Sequence, residues 1–184
     1  MKVSTWHHAP QHRFVSGQIY IVTARTIRRE HFFRGRHRLR LLEDVSLECI
    51  VDAGWRLRAW AMFSNHYHWV AYATHLALDL HALIQRIHSE SAIAINRLDH
   101  AEGRRIWFQY WDTCLTHPTS YYARLNYVNK NAVHHGLVRA ASQYPFCSAG
   151  WWETHADQAV QRRINSFRCD RISIEDDFEP VWEP

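Results

Sequence analysis

An α+β fold of the split βαβ (ferredoxin-like) kind is predicted: an antiparallel sheet with helices packed on one face, plus a C-terminal helical extension. Three observations carry the prediction. Apolar runs alternate in period along the chain in the order strand, helix, strand, strand, helix, strand, helix. Gly54, Gly103, Pro118 and Gly136 punctuate that order near the expected element boundaries. With 184 residues, 47% of them hydrophobic and nine of them tryptophan, the chain can bury one core without disulfides or a structural metal.

The elements follow in sequence. Val15 to Ala24 is β-rich and reads as the first strand. An arginine-rich loop follows, and then Leu39, Leu42, Val45, Cys49 and Ile50 recur at helical spacing, with Gly54 as the stop. Trp55 to Met62 and His66 to Ala73 form two strands broken by the turn formers Ser64 and Asn65. Leu78, Leu80, Leu83, Ile84 and Ile87, on through Ile95, make an amphipathic second helix free of Gly and Pro. Ile106 to Leu115 is an aromatic fourth strand. Thr116-His117-Pro118 opens a helix that runs to about Asn131 or His134 before Gly136, and Tyr144 to Trp152 reads as a short helix packed on the body. The organisation is an N-terminal extension over 1–13, a main domain over 14–140, a helical extension over 141–169 and an acidic tail over 170–184, expected to be disordered rather than to lie over the basic groove and restrain binding.

Several classes are excluded or disfavoured. No apolar run approaches the ~18 residues of a membrane span, and residues 1–8 lack a signal-peptide core, so a cytoplasmic protein without a membrane partner is expected. Cys49, Cys114, Cys147 and Cys169 are widely separated, which suits reduced structural thiols better than a disulfide framework. Charge is uneven: 20 of the 22 basic residues are arginine, and without the tail the body keeps 21 basic against 12 acidic residues. Seven arginines, Arg25, Arg28, Arg29, Arg34, Arg36, Arg38 and Arg40, fall within sixteen positions, a density suited to phosphate contacts with nucleic acid.

The candidate chemistry starts at His66-Tyr67-His68. On a strand, residues two apart point the same way, so both imidazoles emerge together with Tyr67 on the opposite face. Such a pair can hold a metal if a third ligand joins it. The last helix offers one, because Tyr127 and Asn131 are four apart and share a helical face, a phenol nucleophile beside an amide carbonyl. Spacing leaves alternatives open: Tyr122 and Asn126 have the same separation, and Tyr121 is a third candidate. Single strands can also stack on aromatics, and Trp6, Trp60, Trp69, Trp107 and Trp111 are candidate platforms, most of them expected in the core.

Three stretches carry a resemblance. Phe63-Ser64-Asn65-His66-Tyr67-His68-Trp69-Val70 is similar to Met-Pro-Asn-His-Tyr-His followed by apolar residues. Ile106 to Asp112 is similar to Trp-Gln-x-x-Tyr-Tyr-Asp, and Tyr127 to Val138 to Tyr-Ile-x-x-Asn-Pro-Val-x-x-Gly-Leu-Val. Together, from about Val15 to Val138, they resemble the single-tyrosine His-hydrophobe-His transposases, and most closely the REP-associated tyrosine transposases. Ala132 and Ser64 stand where that family usually has proline, which bears on how sharply the helix ends and how firmly the turn presents His66.

The resemblance implies Tyr127 as the nucleophile, with His66, His68 and Asn131 around a divalent cation, Mg2+ or Mn2+, although two imidazoles alone would also suit zinc. It implies cleavage and rejoining of single-stranded DNA bearing REP-like palindromic hairpins through a 5′-phosphotyrosine, by a monomer or a homodimer. Recognition would draw on the arginine cluster, Arg25 to Arg40, and on Lys130. Two other classes stay open: a hairpin-binding protein without cleavage, and an RNA-binding module on the same scaffold. The second lacks a recognisable Arg/Lys-Gly-aromatic-Gly pattern.

Overall fold

The structure, a computed structural model, describes residues 14–169, 172, 174 and 176–183. The N-terminal extension 1–13, with Trp6, and residues 170, 171, 173, 175 and 184 lie outside the described residues. Four strands, β1 (Ile19–Thr26), β2 (Trp55–Met62), β3 (His66–Ala73) and β4 (Trp107–Cys114), form one antiparallel sheet in the order β2-β3-β1-β4. The first strand starts later than its alternation suggests. Gly17, at φ 78°, turns the chain there, and its N–H bonds the Ala73 carbonyl at the end of β3.

Period-2 alternation assigns each strand two faces. On one, Tyr20, Val22, Ala24, Tyr67, Trp69 and Ala71 are buried under α1 (Arg36–Asp52) and α2 (Leu80–Leu98). Helix α1 presents Leu39, Leu42, Cys49 and Ile50 to this core, and α2 presents Leu83, Ile84, Ile87 and Ile95. Asp79 caps α2 by accepting from the His81 and Ala82 N–H groups. On the other face, α3 (Pro118–His134) crosses β2 and β3, where Ala59 and Ala61 are small enough to let a helix come close.

The stretch from Tyr144 pairs with the open edge of β2 before it becomes helical. Met62 N–H bonds the Phe146 carbonyl, and Ser148 N–H bonds that of Trp60. The short helix expected within Tyr144 to Trp152 therefore begins only at Ala149, as α4 (Ala149–His155), and is followed by α5 (Gln158–Ser166). All four cysteines are free thiols. Among the described residues no helix is long and apolar enough to cross a membrane.

One buried histidine away from the candidate site makes stability depend on pH. The His88 ring on α2 is stacked on Trp107 at 4.5 Å and bonded through Nε2 to the Tyr67 hydroxyl at 3.0 Å. Although the residue keeps some exposed surface, the ring is enclosed, and burial lowers its pKa to about 3. Between that value and the ordinary 6.5 the unfolded chain binds the proton and the folded one does not. Stability from this group is full above pH ~6.5 and falls on acidification by up to about 1.4 kcal/mol per pH unit. Urea unfolding at pH 7 and pH 4.5 should lose about 2 kcal/mol less on acidification in His88→Gln than in the wild type. Equal losses in the two proteins would refute this assignment.

Candidate active site

The site lies on the α3 face of the sheet, where β3 opens with His66 and His68. The turn before it is buried and tied down without a proline. Ser64 O accepts from Phe33 N–H at 2.9 Å, and Asn65 O accepts from Thr26 N–H at 2.9 Å and from the Thr26 hydroxyl at 3.0 Å. These bonds supply the rigidity that Ser64, in place of proline, leaves in question. Asn65 Nδ2 donates to the carbonyls of Arg29 and Phe178, so its Oδ1 faces His66 Nδ1 at 2.9 Å. An amide oxygen only accepts, so Nδ1 carries the proton and Nε2 keeps its lone pair. His68 Nδ1 is likewise held at 2.7 Å by the Thr23 hydroxyl on β1. Both rings are fully buried, and His66 is stacked on Phe63 at 4.5 Å. Burial, and for His66 then the neighbouring His68, lowers both imidazole pKa values, so both are neutral near pH 7.

Helix α3 brings the opposing groups. Tyr127 and Asn131 share its inward face, and the Tyr127 ring meets the His68 ring edge-on at 5.4 Å. The helix does not end after Asn131. Ala132, unlike proline, lets it continue to His134, and Gly136 at φ 69° stops it, with its N–H on the Val133 carbonyl. That extra turn carries His135 into the site, one more step of four beyond Tyr127 and Asn131, its ring 5.2 Å from that of His66. The same i, i+4, i+8 spacing was available in the sequence to find it.

The acidic tail, expected to be disordered, instead crosses this site in its described residues. Asp176 Oδ2 accepts from the Tyr127 hydroxyl and from Asn131 Nδ2 at 2.7 Å. Its Oδ1 lies 2.9 Å from His135 Nε2 and 3.7 Å from the Nε2 atoms of both His66 and His68. Phe178 is buried against the His66 ring at 4.7 Å, Val181 N–H donates to the Ser64 hydroxyl at 2.9 Å, and Trp182 packs on Tyr144 and Phe146. The physical reason is that this acidic segment also carries apolar anchors, which find a groove beside the sheet. Burial raises the Asp176 pKa, but contacts with His135 and His68 outweigh it and keep the carboxyl ionised. Burial and then the Asp176 carboxylate drive the Tyr127 phenol well above the ordinary tyrosine range.

The donor set fits a divalent cation. Among the described residues, His66 Nε2, His68 Nε2 and Asn131 Oδ1 are buried without a hydrogen-bond partner, and the buried His135 Nε2 and Asp176 Oδ1 have only their 2.9 Å contact with each other. A protein interior seldom leaves even one such atom unpaired. The ligand atoms of His66, His135 and Asp176 lie within 4.8 Å of one another, a group that could hold one ion and that does not include His68. Imidazoles, an amide oxygen and a carboxylate are hard to borderline donors without thiolate, suited to Mg2+, Mn2+ or zinc.

The other sequence-selected residues are spread around this centre. Arg29 bonds Asp177 at 2.6 Å, Arg34 pairs with Glu183, and Arg36 lies over the Trp182 ring at 5.7 Å, so three of the seven arginines hold the tail. Arg38 pairs with Asp99 and Arg40 with Glu43, which ties both to the body of the fold. Arg28 and Arg29 both adopt positive φ, 52° and 59°, in a tight turn after β1. Arg25 is the next-to-last residue of β1, on the site face, and Lys130 lines a separate cleft between α3 and α5 with Trp152 and Asn165. Tyr122 points away from the site, stacked on Phe167 at 5.1 Å under Arg163, and Tyr121 packs beside it. Trp69 and Trp107 are core residues, Trp60 donates to Glu43 on the α1 side, and Trp111 alone of the described candidates is on the site face.

A solved structure of a REP-associated tyrosine transposase bound to a REP hairpin superposes with a TM-score of 0.67 over 80% of this chain and 86% of that one, at 17% identity. The chain has the fold of a REP-associated tyrosine transposase. A candidate transposase from Deinococcus radiodurans R1 matches less fully, with a TM-score of 0.46 over 60% of this chain and 88% of that one, also at 17% identity. No protein-family profile matches the chain, and no curated protein matches it in sequence. The likeness to the REP-associated transposase is therefore one of fold, and the roles of individual residues rest on the site geometry.

Proposed function

We propose that this protein is a metal-dependent single-tyrosine nuclease and strand transferase that acts on single-stranded DNA bearing palindromic hairpins. The observation that carries the reading is the convergence of buried, unpartnered His66 Nε2, His68 Nε2 and Asn131 Oδ1 beside the Tyr127 hydroxyl. The hairpin substrate rests on fold likeness to a transposase that binds a REP hairpin.

In this reading Tyr127 Oη attacks a DNA phosphorus. The P–O3′ bond breaks, the 3′-oxygen leaves as a hydroxyl after taking up a proton, and the 5′-phosphate stays on the tyrosine. The phosphodiester energy is conserved, so attack by a 3′-hydroxyl on the phosphotyrosine rejoins a strand and releases Tyr127. A phenol is only ~0.1% ionised at neutral pH, so the reaction needs positive charge near the phosphate. A divalent cation held by His66, His68 and Asn131 would supply Lewis-acid stabilisation of the phosphate oxygens. The chain's own groups hold the geometry: Asn65 and Thr23 fix the two imidazoles, and α3 fixes Tyr127 against His68. The site is closed to DNA while Asp176 occupies it, because a carboxylate bonded to the nucleophile both blocks and repels a phosphate.

That closure is also the one feature that favours a second reading, a hairpin-binding protein that does not cleave. Labelled single-stranded hairpin DNA incubated with Mg2+ or Mn2+ distinguishes them. Nicking abolished by chelation and by His66→Ala or Asn131→Ala is expected. Tight hairpin binding with no nicking under any metal, even after removal of the tail, would select the binding protein.

A further inference from the structure

The site holds more metal-binding groups than the tyrosine reaction uses. His135, the cap residue of α3, and Asp176, from the tail, bring an imidazole and a carboxylate that the set His66, His68 and Asn131 does not need. Asp176 Oδ1 lies 2.9 Å from His135 Nε2 and 3.7 Å from His66 Nε2, and the three atoms fall within 4.8 Å of one another. His68 is outside that group, although its Nε2 also lies 3.7 Å from Asp176 Oδ1. The three side chains are enclosed, with exposures of 0% for His66, 7% for His135 and 6% for Asp176. His66 Nε2 is aimed into the group as an unpartnered acceptor, because Asn65 Oδ1 holds the protonated nitrogen, Nδ1. Such an arrangement is costly in a protein interior, where buried polar atoms without partners are rare.

We infer that His66, His135 and Asp176 form a zinc site that exists only while the tail is docked, so that Zn2+ fastens the chain in its closed arrangement. The inference goes beyond the DNA-processing reading, shares only His66 with the cation site of that reading, and is testable without DNA. Two imidazoles and a carboxylate are a complete set of protein ligands for zinc, with the fourth position left to water. Ligands about 2.1 Å from a tetrahedral ion stand about 3.4 Å apart, and the 2.9 and 3.7 Å contacts of Asp176 Oδ1 bracket that figure. Magnesium suits this set poorly, because it favours oxygen ligands and keeps several waters, for which an enclosed site with two imidazoles has little room. Opening removes the carboxylate with the tail and leaves two of the three ligands. Zinc therefore binds the closed chain more tightly than the open one and shifts the population toward closure by that difference.

The test uses the tag-free full chain and zinc alone, with affinity read by competition against a chromophoric zinc chelator. One zinc per chain is expected. His135→Ala and Asp176→Ala should each weaken binding about a hundred-fold, as should ending the chain after Cys169. His134→Ala, which alters the exposed neighbour of His135, should leave the affinity unchanged. Circular dichroism checks that each variant is folded. A second readout follows the tail itself: excess zinc should slow its proteolytic removal about ten-fold or more in the wild type and not in His135→Ala. The site would be overturned by a wild type that takes up no zinc, by an affinity that survives loss of the tail, or by one that depends on His66 but not on His135 or Asp176. A tail removed equally fast with and without zinc would overturn it too. None of these outcomes involves DNA, so the tyrosine reading would stand. Absence of an adduct on Tyr127 would contradict that reading and leave the zinc affinities as measured.

Discussion

Tyr127→Phe should abolish formation of a covalent protein–DNA adduct, while hairpin binding stays within a few-fold of the wild type. The substitution deletes one oxygen and keeps the ring that meets His68 edge-on, so the packing of α3 on the sheet is preserved. The loss of one hydrogen bond to Asp176 costs about 1 kcal/mol, a small part of the stability of a domain of this size. Without the phenol there is no nucleophile on this face, and any residual nicking would fall to the background rate. Tyr122→Phe is the matched control. Its ring is stacked on Phe167 away from the histidines, so adduct formation should be unchanged. An adduct that survives in Tyr127→Phe and disappears in Tyr122→Phe would reverse the assignment.

Ending the chain after Cys169 should have the opposite effect, an increase in adduct formation of about ten-fold or more. The closed arrangement is held by the Asp176 contacts, by burial of Phe178 and by Trp182 on Tyr144 and Phe146. The pairs Arg29–Asp177 and Arg34–Glu183 are exposed and add little. If closure is favoured by only ~1.4 kcal/mol, nine chains in ten are blocked, and each further 1.4 kcal/mol multiplies the effect of removal ten-fold. Asp176→Ala with Phe178→Ala should approach the same result in a full-length chain. Removing Asp176 also frees the Tyr127 phenol from the carboxylate that raises its pKa. A double variant as inactive as His66→Ala would show instead that Asp176 serves the reaction, as a ligand of the cation.

Much of this arrangement could be read from the residues, because it depends on local periods. Alternation placed His66 and His68 on one face of a strand, helical spacing placed Tyr127 and Asn131 on one face of α3, and Pro118 and Gly136 bracket that helix as observed. Local period alone left Tyr122 open, since only tertiary packing turns it toward Phe167. The helix ends at His134, the later of the two expected ends, and His135, the cap residue just beyond it, still falls on the same face as a third residue of the site. The tail was the largest departure. Its charge favours disorder over the alternative of a tail lying on the basic groove, yet Phe178 and Trp182 are apolar anchors within it, and Asp176 docks 45 residues beyond Asn131 through contacts no local pattern encodes. The arginine cluster was visible as charge, but charge does not reveal partners. Arg38 and Arg40 meet acids of the body, Arg29 and Arg34 meet acids of the tail, and Arg25 meets aromatic rings.

The central claim is that Tyr127 becomes covalently joined to a DNA 5′-phosphate with the help of a cation at His66, His68 and Asn131. Its most direct test is to react the tail-shortened protein with a single-stranded hairpin in Mn2+, digest the product and locate the nucleotide-bearing peptide by mass spectrometry. The account predicts a nucleotide 5′-phosphate on Tyr127, absent when the metal is chelated and absent in Asn131→Ala. A nucleotide on any other residue, or an adduct on Tyr127 that forms equally well without metal, would contradict it.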